Sequence, residues 1–223
     1  MNAVERLVAE ARQGMAASAP NRFLDLLEAG RVPRERLAAL AGELYRLVLS
    51  DRRSFALAAA RFPDPTGDDL FLALARGESE ALRLLLGFAA GLGLDEERLR
   101  AYEPEPLAQA YPAFLAQTAA FGSRSDLALA LLANAAGSGA TYARAADALQ
   151  SAYGLGDASV AHFRYFAETP REVLDQAAAT VAAGLAGGDV PAAAVRTART
   201  VHRFEALFWS TLAGTAAAGV SPR

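Results

Sequence analysis

The sequence predicts an all-α fold, one antiparallel bundle of helices. Three observations carry this. Apolar residues recur at the helical period in segment after segment, period-two alternation is lacking, and the breaks are short clusters of Pro, Gly, Ser, Asn and Asp. Short connections between several helices favour antiparallel neighbours in one bundle. With 223 residues, 53% hydrophobic and 21% charged, the chain can bury a sizeable core, and a single domain over 1–223 is expected.

The first helix, about 2–17, places Val4, Leu7, Val8, Ala11 and Met15 on one stripe, and Ser18 to Asn21 cap and break it. A short helix over about 22–29 stops at Gly30, a candidate left-handed cap. Pro33 suits a first helical turn and opens a long helix to about residue 61, with Leu37, Leu40, Leu44, Tyr45 and Val48 inward. Residues 62–67 read as a turn rich in breakers, and helix resumes at the acidic pair Asp68-Asp69, running to about 92. A short helix over about 95–102 leads to a stiff elbow, Glu103-Pro-Glu-Pro, and a helix to 121 carrying Leu107, Tyr111, Phe114 and Leu115. Helices follow over about 127–153, 158–168, 170–185 and 191–216, separated by Gly-rich breaks.

A net charge of −3 and a pI near 5.5 argue against nucleic-acid binding, which needs a clustered basic face. The absence of Cys removes disulfides, thiolate nucleophiles and Cys-based metal sites. The charged N-terminus lacks the apolar core of a signal peptide, and no apolar run approaches the roughly 20 residues of a membrane span. A cytoplasmic protein without membrane or nucleic-acid partners is expected. Arg46, Asp51, Arg52 and Arg53 are expected on a solvated or interface face.

The last helix organises the functional reading. Val201, Glu205, Phe208, Trp209 and Leu212 share one face, so a carboxylate sits in an apolar stripe holding the only Trp. A carboxylate is rarely buried without a partner or a task. Glu205 either lines a pocket, where desolvation would raise its pKa toward that of a general acid/base, or marks the stripe's margin, paired with Arg199, Arg203 or another helix. His202, one turn earlier, is a proton carrier or a structural residue. Tyr45, Tyr111, Tyr142 and Tyr165 fall on inward or boundary faces, as core Tyr or as rings that stack on and hydrogen-bond a planar heterocycle. Gly137 and Gly139 flank Ser138 inside a helix, where Gly costs about 1 kcal/mol relative to Ala. Close helix contact or room for a ligand would justify them, and either would exclude bulky residues.

The order of helices resembles the TenA/thiaminase-II and PqqC-like group of the heme-oxygenase-like fold. The likeness rests on Phe23-Leu-Asp-Leu-Leu-Glu-Ala-Gly30 before a long helix and on Glu103-Pro-Glu-Pro followed by Ala110-Tyr111. Tyr153-Gly-Leu-Gly before Phe163 and Tyr165, and Glu205-x-x-Phe208-Trp209, complete it. The resemblance implies a bundle with a central pocket, a small heterocyclic ligand, and Glu205 as the catalytic acid/base in hydrolysis of an aminopyrimidine. It implies substrate-binding roles for Tyr45, Tyr111, Tyr142, Tyr165, Phe208, Asn134, Glu43 and His202, and assembly into dimers or larger homo-oligomers.

Two departures bear on chemistry. Asn134 stands near the position of the family's Cys nucleophile, so thiol chemistry is excluded. The family's Asp on the third helix meets Gly42-Glu43-Leu44-Tyr45-Arg46 here, so the acid is shifted or replaced. A di-iron site needs Glu-x-x-His pairs, and neither His162 nor His202 has a Glu three residues upstream. A heme ligand could be His162 or His202, but the resemblance places the usual heme His near the N-terminus, where there is none. No metal and no cofactor is expected. Alternatives are a non-catalytic ligand-binding or regulatory relative, a metal- or cofactor-independent oxidase of the PqqC-like type, and a purely structural oligomer.

Overall fold

The computed structural model describes residues 1–15, 20–62 and 65–214, with backbone alone over 65–69. Every regular element among them is a helix: α1 (Ala3–Gln13), α2 (Arg22–Glu28), α3 (Arg34–Arg61), α4 (Pro65–Gly91), α5 (Glu96–Ala101), α6 (Ala110–Phe121), α7 (Arg124–Tyr153), α8 (Asp157–Ala167), α9 (Arg171–Ala186) and α10 (Pro191–Leu212).

Local signals set the boundaries. Asn2 and Glu5 close a capping box on α1, Asn21 caps α2 through the Leu24 amide, and Ser123 with Asp126 forms a second box on α7. Gly30 and Gly154 take φ of 65° and 67°, the left-handed conformation that ends α2 and α7. Several boundaries differ from expectation: α1 already ends at Gln13 and α7 already begins at Arg124, and two other starts also move. α4 begins at Pro65 rather than Asp68, because proline suits a first turn. α6 begins at Ala110, after a turn that leaves Leu107 58% exposed rather than in the core. α10 ends at Leu212, capped by Ala213, short of the expected end near 216. The expected break at Ser18 and Ala19 and part of the 62–67 turn lie outside the described residues.

α3 and α4 form a long hairpin, α7 packs on α2, α8, α9 and α10, and α10 also meets α6 and α1. Burial divides into two apolar clusters. One gathers Phe23, Leu44, Phe88, Phe163, Phe208 and Trp209. The other gathers Phe71, Leu115, Leu129, Val181, Val195 and Val201. Tyr111 packs against both, so it marks their boundary. The buried polar side chains Asp51, Glu78 and Asn134 collect at that seam.

Candidate functional site

At the seam lies a cavity of about 390 Å³, reached by side chains of α3, α4 and α6 to α10. Phe55, Leu74, Leu115, Val173 and Val201 supply apolar walls. Asp51, Glu78 and Glu205 bring three carboxyl groups from the helices and exposed Glu168 a fourth at the rim, and the described lining residues include no Lys, Arg or His.

Asp51 comes from α3 and Glu78 from α4, because each falls on its helix's inward stripe. Leu44, Val48, Asp51, Phe55 and Ala58 follow one face, as do Phe71, Leu74, Glu78, Ala81 and Leu85. Asp51 is 3% exposed and Glu78 8%. The Tyr111 hydroxyl donates to Asp51, but Asp51 Oδ1 and Glu78 Oε2 have no hydrogen-bond partner. Burial pushes both carboxyls well above the usual range, and the charge of Asp51 pushes Glu78 further. Burial, then Asp51, Glu205 and Glu78, push the Tyr111 phenol well up.

Glu205 projects from α10 toward α7. Protein encloses it while one side faces the cavity, and this desolvation raises its pKa, opposed by a hydrogen bond from Ser138. One turn before Ser138 on α7, Asn134 donates from Nδ2 to the Ala130 and Ala198 carbonyls at 2.9 and 3.1 Å. Its Oδ1 accepts nothing. With both N–H groups fixed on backbone, Asn134 offers the cavity an acceptor only.

Tyr165 on α8 completes the opposite wall. Its approach requires glycine at 77, since a Cβ there would lie 2.9 Å from the Tyr165 hydroxyl. Behind the wall, Tyr142 packs its ring on His162, Phe163, Phe166 and Trp209. Burial and then the charges of Glu205, Glu78 and Asp51 hold its phenol protonated well above the usual range. His162 Nδ1 donates to the Ala81 carbonyl at 2.9 Å, which fixes the tautomer and leaves Nε2 without a partner. Burial lowers its pKa to about 4, so it is neutral.

Residues 17–215 match the TENA/THI-4/PQQC family. The chain belongs to that family. Solved structures share the fold at low identity. A TenA family transcription regulator from a Silicibacter species aligns at 17% identity and a TM-score of 0.66, over 96% of this chain and 97% of that one. A TenA homologue from Pseudomonas syringae aligns at 13% and 0.71, over 93% and 91%. A TenA homologue from Pyrococcus furiosus aligns at 20% and 0.66, over 93% and 98%. A Shewanella denitrificans domain of unknown function described as having a heme oxygenase-like fold aligns at 18% and 0.52, over 95% and 94%. No curated protein sequence matches the chain.

In this TENA/THI-4/PQQC family member, the cavity brings together four of the residues singled out from sequence: Glu205, Tyr111, Asn134 and Tyr165. Tyr142 stands behind them. The other four lie elsewhere. Glu43 is fully buried and ties down the elbow, accepting from the Tyr102 hydroxyl at 2.8 Å, the Glu105 amide at 2.6 Å and the Gln109 amide. Tyr45 joins α5 instead, donating to Glu96 at 3.1 Å and accepting from Arg100 at 3.3 Å. Phe208 is core, edge-on to Trp209 with ring centres 5.3 Å apart. His202 is half-buried on α10 and does not line the cavity; burial, then Arg203, lowers its pKa.

Asp51 corrects the expectation of a solvated charge run. Only Arg52 and Arg53 face out, joining Arg76 around an open groove of about 540 Å³ between α3 and α4. None of that groove's lining residues is a buried polar group, so the enclosed cavity is the better site. Sequence reading missed Glu78 altogether, although its stripe position was the available signal. The two glycines of α7 also separate. Gly139 would set a Cβ 2.5 Å from the Ala167 carbonyl, a close helix contact, whereas Gly137 is exposed with open space around it and would accept a side chain.

The described residues hold no group of three His, Asp or Glu placed to share a metal ion. None of their helices is long and apolar enough to cross a membrane.

Proposed function

We propose that this protein binds a small, flat nitrogen heterocycle in the Glu205 cavity and hydrolyses an exocyclic C–N bond on it without a thiol. An aminopyrimidine bearing an aminomethyl group fits this description. The observation that carries the reading is Glu205, an enclosed carboxyl with a raised pKa at the wall of a cavity edged by Tyr111 and Tyr165. In the reaction, a water oxygen bonds to the carbon bearing the amine as the C–N electron pair leaves with nitrogen. Glu205 accepts the water proton and returns one to the departing amine. Tyr111 and Tyr165 offer ring faces and hydroxyls to the heterocycle. Assembly as a homo-oligomer belongs to the same reading.

Asn134 favours a second reading. It cannot act as a nucleophile, and a relative of the same fold is named a transcription regulator, so a ligand-binding role without turnover is the alternative. The oxidase reading calls for a pocket rich in His and Arg, which the lining does not offer. The cavity itself speaks against a purely structural role.

The test is ammonia release from 4-amino-5-aminomethylpyrimidine by the native protein and Glu205→Gln. A loss on the order of a hundredfold or more in the variant supports the hydrolase. Equal turnover in both proteins refutes Glu205 as the acid/base. No turnover in either favours the binding reading.

A further inference from the structure

The hydrolase reading uses Glu205 and leaves the opposite pole of the cavity unexplained. There Asp51 and Glu78 face the same space from adjacent helices, both more than nine-tenths buried, and no lining Lys, Arg or His answers them. Three acceptor atoms at the cavity have no partner: Asp51 Oδ1, Glu78 Oε2 and Asn134 Oδ1. Asn134 is an independent witness, because it is neutral, 8% exposed, and has committed both its donors to backbone carbonyls. The Tyr111 hydroxyl is already used by Asp51. Unanswered buried acceptors are costly unless a partner arrives. The lining brings no positive charge to this pole. Since no three His, Asp or Glu among the described residues converge as metal ligands do, an organic cation suits the space better than a metal ion.

We propose that Glu78, together with Asp51, is a charge-selecting pole that requires the ligand to present a cationic edge of N–H donors and rejects a neutral ring of the same outline. An amidinium or a protonated amino-heterocycle has that edge: coplanar N–H groups, delocalised positive charge, and no acceptor to meet the carboxylates. A neutral amide of equal size places a carbonyl against one of the acceptors and brings no charge. This rests on the reading that the cavity is a ligand site, and it is independent of hydrolysis.

The test is calorimetric titration near pH 7.5 of native protein, Glu78→Gln and Asp51→Asn with two planar probes of the same outline, benzamidine and benzamide. The native protein is expected to favour benzamidine by on the order of tenfold or more, and Glu78→Gln to bring the two affinities close to equality. Asp51→Asn provides the second variant should Glu78→Gln fold poorly, with the same collapse expected. No preference in the native protein, including no binding of either probe, overturns the proposal. So does a preference that survives loss of either carboxylate. The outcome separates from that of the ammonia assay: turnover that depends on Glu205 without charge preference defeats this proposal alone, and charge preference without turnover defeats only the hydrolase.

Discussion

Replacing Glu78 by Gln should make the protein more stable at alkaline pH and leave it nearly unchanged at acid pH. Glu78 Oε2 is buried without a partner, and Asp51, Tyr111, Tyr142, Tyr165 and Glu205 bring no positive charge to it. Its folded pKa lies above the unfolded value near 4.5, raised by burial and then by Asp51. For a raised carboxyl the folded state holds the proton longer than the unfolded state. Stability therefore falls as pH rises from the unfolded pKa to the folded one, and stays low above it. Gln keeps the outline, adds donors and removes the charge. An unanswered buried polar group costs about 1–3 kcal/mol, so a gain of about 1–2 kcal/mol at pH 8 is expected, against near zero at pH 4.5. For a chain of this size, that corresponds to roughly 2–8 °C in Tm. Urea denaturation at both pH values, read by far-ultraviolet circular dichroism, measures the difference. A variant less stable than native at pH 8, or an equal gain at both pH values, would refute the argument.

Other outcomes hang on single contacts. Gly77→Ala should leave stability unchanged or raise it by up to about 1 kcal/mol of helix propensity, yet weaken ligand binding, because the new Cβ displaces the Tyr165 hydroxyl; undiminished binding would contradict this. Trp209→Ala, which strips Phe23, Tyr142 and Phe208 of a ring neighbour, should cost about 3–5 kcal/mol in the same urea assay. His162 has a folded pKa of about 4, so the unfolded chain binds the extra proton, and stability is lost as pH falls from about 6.5 toward 4. That window is worth about 3 kcal/mol, and His162→Gln should flatten it; nuclear magnetic resonance of the imidazole should show no titration above about pH 5. Arg144→Ala, which removes largely exposed pairs with Glu28 and Asp25, should change stability by less than about 1 kcal/mol.

The helices were legible in the sequence because their causes are local: caps at Asn21 and Ser123, glycine stops at 30 and 154, and unbroken apolar stripes. The start of α4 was obscured by Pro65, because proline ends a helix from its interior and begins one from its first turn. Glu205 was legible as a carboxylate in a stripe beside the only Trp. Asp51 and Glu78 obeyed the same rule on their own helices, but neighbouring Arg52 and Arg53 made Asp51 read as part of a solvated run, and Glu78 stands just before polar Ser79 and Glu80. Glu43 and Tyr45 face α5 and the elbow rather than the cavity, a matter of which helix lies opposite. Stripe position tells inward from outward, while the partner across the interface is a tertiary fact.

The most direct measurement is a crystal structure of the native protein with 4-amino-5-aminomethylpyrimidine bound. The ring should lie in the cavity between Tyr111 and Tyr165, with its exocyclic amine in hydrogen-bond reach of Glu205 and its ring N–H edge toward Asp51 and Glu78. A ring bound instead in the outer groove of Arg52, Arg53 and Arg76, with the Glu205 cavity vacant, would contradict the assignment of the site.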